Sequence, residues 1–325
     1  MSNLAIIFSD LHVHAYKQFN ENGRRLKNGI AFLDYIFKMA NANDIKYIFM
    51  PGDLHNLMQI VSVKAVNAVV KCLKANFELY PNITLVAVSG NHDYSEVNLL
   101  DRPAESALEH LNEIFSNFML LDNGCMSFGN IKIHGLPYYE HAEHFRVTLE
   151  KTQNKIDNTM VNILLMHQTV ASGLPIEDDI QPDDYLFKNF SMIFNGHIHN
   201  CEQITEKFIN VGSPIHRDAG DIGKQKGFWV VDLNNPTETI SFKDITDKFP
   251  QFIHKTVGEE LTEWESQQYV IWVLNTTTEN VSEVELSEKF STNLDPSIIL
   301  TNYCKEVVKE DDLRITLSYG LNLLT

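Results

Sequence analysis

Leu85-Val86-Ala87-Val88-Ser89-Gly90-Asn91-His92-Asp93 decides how the rest of the chain is read. A short run of Leu, Val and Ala has strand character, glycine ends it, and oxygen and imidazole donors follow at once. A strand-like run that ends in such donors recurs along the chain, with glycine between the two before Asp53 and His197. Asp10-Leu11-His12 follows Ile6-Ile7-Phe8-Ser9, Gly52-Asp53 follows Tyr47-Ile48-Phe49-Met50-Pro51, His167 follows Ile163-Leu164-Leu165-Met166, and Gly196-His197-Ile198-His199 follows Met192-Ile193-Phe194-Asn195. In open α/β sheets ligands bind beyond the carboxyl ends of the strands, so five donor-bearing segments at five strand ends predict one site.

Apolar runs alternate with stretches of helical period, the mark of an α/β layered fold. Residues 4–9, 47–50, 83–88, 131–136, 161–166, 192–194, 208–211 and 228–231 read as strands, and residues 26–42, 61–79 and 104–118 as amphipathic helices. A domain boundary is expected at residues 248–250, giving a domain of residues 1–248 and a small αβ domain of residues 249–325. In the latter, residues 268–274 and 298–308 read as strands and 281–290 as a helix.

With 325 residues and 44% apolar side chains, the chain can bury a core without staples. The four cysteines, Cys72, Cys125, Cys201 and Cys304, lie far apart and form no C-x-x-C pair, so neither a disulfide framework nor a structural zinc knuckle is suggested and reduced, buried thiols are expected. The first residues enter a strand without a basic leader, and no run approaches the roughly eighteen apolar residues of a membrane span, so a cytoplasmic location is expected. The net charge of -17 argues against nucleic-acid binding through the chain's own surface. Of this excess, residues 251–325 carry 13 acidic and 5 basic side chains.

Asp, Asn and His without Cys suit manganese or iron better than structural zinc. A carboxylate touching two ions would hold them about 3.5–4 Å apart, the spacing that clamps both oxygens of an in-line displacement at phosphorus. Asp53 is the candidate for that bridge. In Asp10-x-His12 and His197-x-His199, alternation along extended chain points both donors to one side.

The pattern D-x-H, G-D, G-N-H-D, H, G-H-x-H resembles the calcineurin-like metallophosphoesterase superfamily over residues 5–245. The resemblance implies a β-sandwich flanked by helices, with a small C-terminal α+β domain capping the site. It implies one divalent ion on Asp10, His12, Asp53 and His199 and a second on Asp53, Asn91, His167 and His197, Mn²⁺ first and Mg²⁺ or Fe²⁺ as alternatives. His92 would face the scissile phosphate, with Asp93 behind it as an orienting partner. The Ser/Thr phosphatase branch carries G-D-x-V-D-R-G and G-N-H-E, whereas this chain reads Gly52-Asp53-Leu54-His55-Asn56-Leu57 and ends its third motif in Asp93. Asn210-Val211-Gly212-Ser213-Pro214 and Gly227-Phe228-Trp229-Val230-Val231-Asp232 are similar to the nuclease subunits of SbcCD-type recombination complexes and their tailed-phage counterparts. That branch implies a DNA exonuclease and endonuclease in recombination or repair, partnered by an SbcC-like SMC-type ATPase, with a homodimer left open and the host cytoplasm as the location if phage encoded. Two features depart from it: His55 stands where relatives commonly have an aromatic residue, and residues up to 325 offer no obvious extra amphipathic helix for gripping a coiled coil.

A free-standing phosphodiesterase acting on small nucleotides or phosphoesters is the alternative, and a catalytically idle scaffold is a third reading that the full ligand set disfavours. His14 and His55 read as solvated or ligand-supporting residues, and His216 and Arg217 as either phosphate-binding or a surface loop. Phe228, Trp229, Trp264 and Trp272 read as core, and Lys224 and Lys226 as a modest basic pair.

Overall fold

The computed structural model describes residues 3–16, 19, 21–56, 62–170, 180–182, 185–256 and 259–273. They fall into two compact units, one of Met1–Ala15, Leu26–Ile215 and Lys224–Phe249, the other of Tyr16–Arg25, His216–Gly223 and Pro250–Thr325. The second unit thus draws on two segments that lie early and midway in the chain, which the expected boundary at residues 248–250 does not assign to it.

The first unit holds two six-stranded sheets. The elements run β1 (Leu4–Ile7), α1 (Arg24–Ala42), β2 (Tyr47–Pro51), α2 (Val63–Leu79), β3 (Thr84–Val88), α3 (Glu109–Ile114), β4 (Phe118–Leu120), β5 (Cys125–Phe128), β6 (Ile131–Leu136), α4 (Ala142–Gln153), β7 (Val161–His167), β8 (Met192–Gly196), β9 (Glu202–Gln203), β10 (Phe208–Asn210), β11 (Gly227–Asp232) and β12 (Ser241–Asp244). One sheet has the order β12-β11-β1-β2-β3-β4 and the other β5-β6-β7-β8-β10-β9. Alternation along each strand sorts the side chains into layers. Ala5, Ile7, Phe49, Val86 and Val88 of the first sheet share a buried cluster with Ile133, Ile163, Leu165 and Phe194 of the second. On the other face of the first sheet, Ile6, Ile48, Met50 and Leu85 pack with Leu33, Ile36 and Phe37 of α1 and Leu73 and Phe77 of α2. The second sheet is covered by Phe145 and Leu149 of α4 together with Phe187 and Phe190. The result is the helix-flanked β-sandwich that the resemblance implies.

Parallel register aligns the strand ends. Pro51 at the end of β2 pairs with Val88 at the end of β3, and His167 at the end of β7 pairs with Gly196 at the end of β8. The donor segments that follow therefore emerge side by side.

Several elements differ from the sequence reading. α2 begins at Val63 because the Ser62 side chain accepts the Ala65 N–H and caps it. The helix expected over residues 104–118 shrinks to α3. Ser106 is instead bridged to Tyr94 and hydrogen-bonded to Ser89 at 2.6 Å, and Phe118 opens β4. These long-range partners are invisible to a local period. The reading passes over β5, whose residues alternate only between exposed and half-buried, and α4, whose buried face includes Thr148 and Thr152. Cys72 is buried as expected, but Cys125 is exposed on β5.

The second unit contains β13 (Phe252–Thr256), the one-turn helix α5 (Glu263–Ser266) and β14 (Tyr269–Val273), with β13 and β14 parallel. Phe252, Tyr269 and Ile271 form its small core with Phe19, Ala219 and Ile222. Trp272 is buried, but Trp264 is half-exposed rather than core. The helix expected over 281–290 and the strand over 298–308 lie outside the described residues. Among the described residues no helix is long and apolar enough to cross a membrane.

One buried carboxyl at the end of the first sheet gives a measurable pH dependence. Asp122 accepts the Ser89 N–H at 2.8 Å and the Tyr94 hydroxyl at 3.4 Å. Burial raises its carboxyl to about 6, outweighing the Ser89 bonds that pull it down. A carboxyl raised above its unfolded value contributes stability below that value and loses it as pH rises through about 6. Asp122→Asn keeps an acceptor for Ser89 and cannot ionise. Between pH 4 and pH 7 the variant should gain on the order of 2–3 kcal/mol relative to wild type, read from urea midpoints of metal-free protein.

Candidate metal centre

Every sequence-predicted donor lies in the first unit, at the carboxyl ends of β1, β2, β3, β7 and β8. Asp10 follows β1, Asp53 follows β2, Asn91 follows β3, His167 closes β7, and His197 and His199 follow β8. The chain turns abruptly at four of them: Asp10, His12, Asp53 and His197 have φ of 55°, 48°, 55° and 76°. Non-glycine residues in this left-handed region are strained, and such strain persists where the surroundings over-determine it. Here main-chain bonds do so, with Asp10 N–H donating to the Gly52 carbonyl at 3.2 Å and His12 N–H to the Asp53 carbonyl at 2.9 Å.

Asp53 is the common member. Its Oδ2 lies 3.2 Å from His12 Nε2 and 3.4 Å from His167 Nε2. On one side, Asp10 Oδ1 lies 3.7 Å from both His12 Nε2 and His199 Nε2, and Asp10, His12 and His199 offer donors within 4.8 Å of one another. On the other side, Asn91 Oδ1 is 3.1 Å from His167 Nε2 and 3.0 Å from His197 Nδ1. Two donor sets thus share one carboxylate. His92 is close to the first set: it groups with His12 and Asp53 within the same 4.8 Å, and its ring meets that of His12 edge-on at 4.6 Å.

The charges in this cluster compensate one another. Asp10 and Asp53 are buried to 0% and 1% exposure, a setting in which an isolated carboxylate would neutralise. Burial does push both carboxyls upward, yet the imidazoles of His12 and His167, with His199 beside Asp10, outweigh it and hold both below the usual carboxylate range. Burial likewise pushes His167 down, but Asp53 and Asp10 hold it up at about 9. His197 is lowered to about 4 by burial and by His167. Two buried carboxylates therefore demand positive charge among donors that are otherwise oxygen and imidazole nitrogen. Divalent cations fit that donor set.

Neighbouring groups aim the donors. The His167 Nδ1 lies 2.8 Å from the Pro51 carbonyl, which fixes that nitrogen as the N–H and turns Nε2 toward Asp53 and Asn91. Thr169 Oγ1 lies 3.0 Å from His197 Nε2, and Tyr138 stacks on the His197 ring with centroids 5.4 Å apart. Asp93 is expected behind His92. Its carboxylate accepts the main-chain N–H groups of Asp53 at 2.8 Å, His55 at 3.0 Å and Gly90 at 3.1 Å, so it acts on the turn that carries His92 and on the backbone of Asp53. His55 is fully buried, with Nδ1 3.5 Å from the same carboxylate, and His14 is buried as well. His216 belongs to the second unit, where its Nδ1 accepts the Phe252 N–H at 3.3 Å.

Lys226, one of the modest basic pair read from the sequence, is buried. It is 1% exposed, and its ammonium donates to the His199 carbonyl at 2.9 Å and to Ser213 Oγ at 2.7 Å, pinning the loop that carries His199. Only Lys224 of the pair is exposed. Thr169 and Tyr138 are likewise absent from the sequence reading. Thr169 carries a signal in its place two residues beyond His167, and Tyr138 in following the apolar run of β6, whereas nothing local marks Lys226 as buried.

Layered sheets with paired Asp, Asn and His donors at their strand ends define a phosphoesterase site of the metal-dependent class. The chain belongs to the calcineurin-like phosphoesterase family, whose profile matches residues 5–201. Among relatives, it is 25% identical over 357 aligned positions to the DNA double-strand break repair protein Mre11 of Methanococcus maripaludis, covering 96% of this chain and 92% of that one. It is 24% identical over 257 positions to the SbcD component of the nuclease SbcCD of Staphylococcus saprophyticus, covering 70% of this chain and 64% of that one. The Staphylococcus epidermidis protein of the same name is 25% identical over 242 positions, covering 66% and 63%.

Gly90 gives a steric test of the centre. A Cβ there would lie 2.1 Å from Asp53 Oδ1 and 2.5 Å from Asp53 N, so Gly90→Ala must push Asp53 away. Titration calorimetry with Mn²⁺ should show at least a tenfold loss of affinity in this variant while the circular dichroism spectrum stays that of wild type.

Proposed function

We propose that this chain is a manganese-dependent DNA nuclease subunit that hydrolyses phosphodiester bonds in recombination or repair, together with an SMC-like ATPase. The observation that carries the reading is the pair of donor sets joined through Asp53, in a chain that aligns along nearly its whole length with a relative named for double-strand break repair. Asp10, His12, Asp53 and His199 would hold one ion and Asp53, Asn91, His167 and His197 the other. Manganese suits donors that are carboxylate, amide oxygen and imidazole without thiolate. Bound there, two such ions supply Lewis acidity toward a phosphate and a water activated for attack.

The chain's own residues supply the rest. The His92 N–H donates to Asp53 Oδ1 at 2.8 Å, which ties its turn to the shared carboxylate and sets its imidazole at the edge of the centre. From that place it stabilises charge on the phosphate or protonates the leaving oxygen. Asp93 keeps the turn and the Asp53 backbone in register. The net charge of -17 assigns much of the DNA affinity to the partner ATPase. The same charge favours the second reading, a free-standing phosphodiesterase acting on small nucleotides.

Incubation with Mn²⁺ and labelled duplex DNA, alone and with the cognate ATPase, separates the two. Cleavage that the ATPase enhances is expected; rapid turnover of cyclic nucleotides and bis(p-nitrophenyl) phosphate with no DNA cleavage in either condition would favour the second reading. His92→Ala should lose at least about a hundredfold in kcat while binding both ions. Asp53→Ala should lose the metal itself, measured by elemental analysis after gel filtration.

A further inference from the structure

A cleft of about 110 Å³ opens beside Asn91, bounded by Tyr94, Val97, Tyr138, Glu96 and Glu140. It is continuous with the proposed centre through Asn91, whose Oδ1 faces His167 and His197, and through Tyr138, which stacks on His197. Its volume suits one ring rather than a chain, on the scale of a cavity that admits benzene. Two of its walls are aromatic, and a third is Val97, which is 45% exposed. Its charged groups are all of one sign: the exposed carboxylates of Glu96 and Glu140, with no Lys or Arg among the described residues of the lining. The buried amide of Asn98 is turned to the protein, donating to the Tyr138 carbonyl at 2.7 Å and accepting the Ala104 N–H at 3.1 Å.

We infer that this cleft is a subsite for the uncharged nucleoside flanking the scissile phosphate, and that Glu96 and Glu140 exclude a further phosphate on that side. The inference rests on the phosphodiesterase reading of the centre. A phosphate held beside Asn91 places one of its two ester substituents in the cleft. Aromatic and aliphatic walls favour a sugar or base ring there, and the carboxylates accept hydrogen bonds from its hydroxyl or amino groups. A second phosphate in the same place would face two like charges, with no Lys or Arg among the described residues of the lining. The cleft therefore favours a strand end, where the flanking nucleoside is terminal and carries no further phosphate.

Steady-state hydrolysis of three short substrates with Mn²⁺ tests this: the thymidine dinucleotide with both termini unphosphorylated, and the same dinucleotide carrying a phosphate at its 5′ or at its 3′ terminus. One of the two phosphorylated forms should show kcat/KM at least tenfold below the parent, chiefly through KM, and the deficit should shrink as salt screens the charges. Glu96→Gln combined with Glu140→Gln should remove that deficit, and Glu140→Lys should reverse it. Both glutamates are exposed, so these variants are expected to fold. Equal kcat/KM for all three substrates, or a deficit unchanged by the charge substitutions, would overturn the subsite while leaving the phosphodiesterase reading intact. Failure of wild type to hydrolyse any of the three would sink that reading and the subsite with it.

Discussion

Asp53 is the residue on which the first unit's chemistry converges. Its carboxylate is 1% exposed and placed between His12 and His167, and a buried negative charge in that position must be matched by positive charge close by. The fold answers with imidazoles from three other strand ends and with a second buried carboxylate, Asp10, that shares them. Within protein alone, imidazolium protons balance those carboxylates. Divalent cations would offset them through the same donors, which is why this arrangement reads as a site for metal rather than as a set of buried salt bridges.

The scaffold explains how so many donors reach one place. Parallel register brings the ends of β2 and β3, and of β7 and β8, level with each other, and the two sheets face across a core of Ile, Val and Phe. The strain at Asp10, His12, Asp53 and His197 is then the cost of turning each chain sharply at its strand end. Asp93, Pro51 and Lys226 steady the surroundings: the first gathers three main-chain N–H groups, the second fixes the His167 tautomer, and the third donates to the His199 carbonyl.

Much of this was legible in the sequence because strand ends have a local signature. An apolar run that ends in an oxygen or imidazole side chain, with Gly between them at Asp53, Asn91 and His197, needs no knowledge of distant partners, so the strands carrying Asp10, Asp53, Asn91, His167 and His197 are readable, and the structure brings those side chains together. What was not legible depends on contacts far apart in sequence. The shortening of the helix over 104–118 follows from Ser106 meeting Tyr94 and Ser89, and the burial of Lys226 follows from the His199 carbonyl and Ser213. α4 was missed because threonines occupy part of its buried face, and the contribution of residues 16–25 and 216–223 to the second unit has no compositional mark.

Anomalous diffraction from crystals grown with Mn²⁺, collected on either side of the manganese edge, tests the central claim most directly. The account requires two peaks about 3.5–4 Å apart, both within coordination distance of Asp53. A single peak, or two peaks of which only one contacts Asp53, would contradict it.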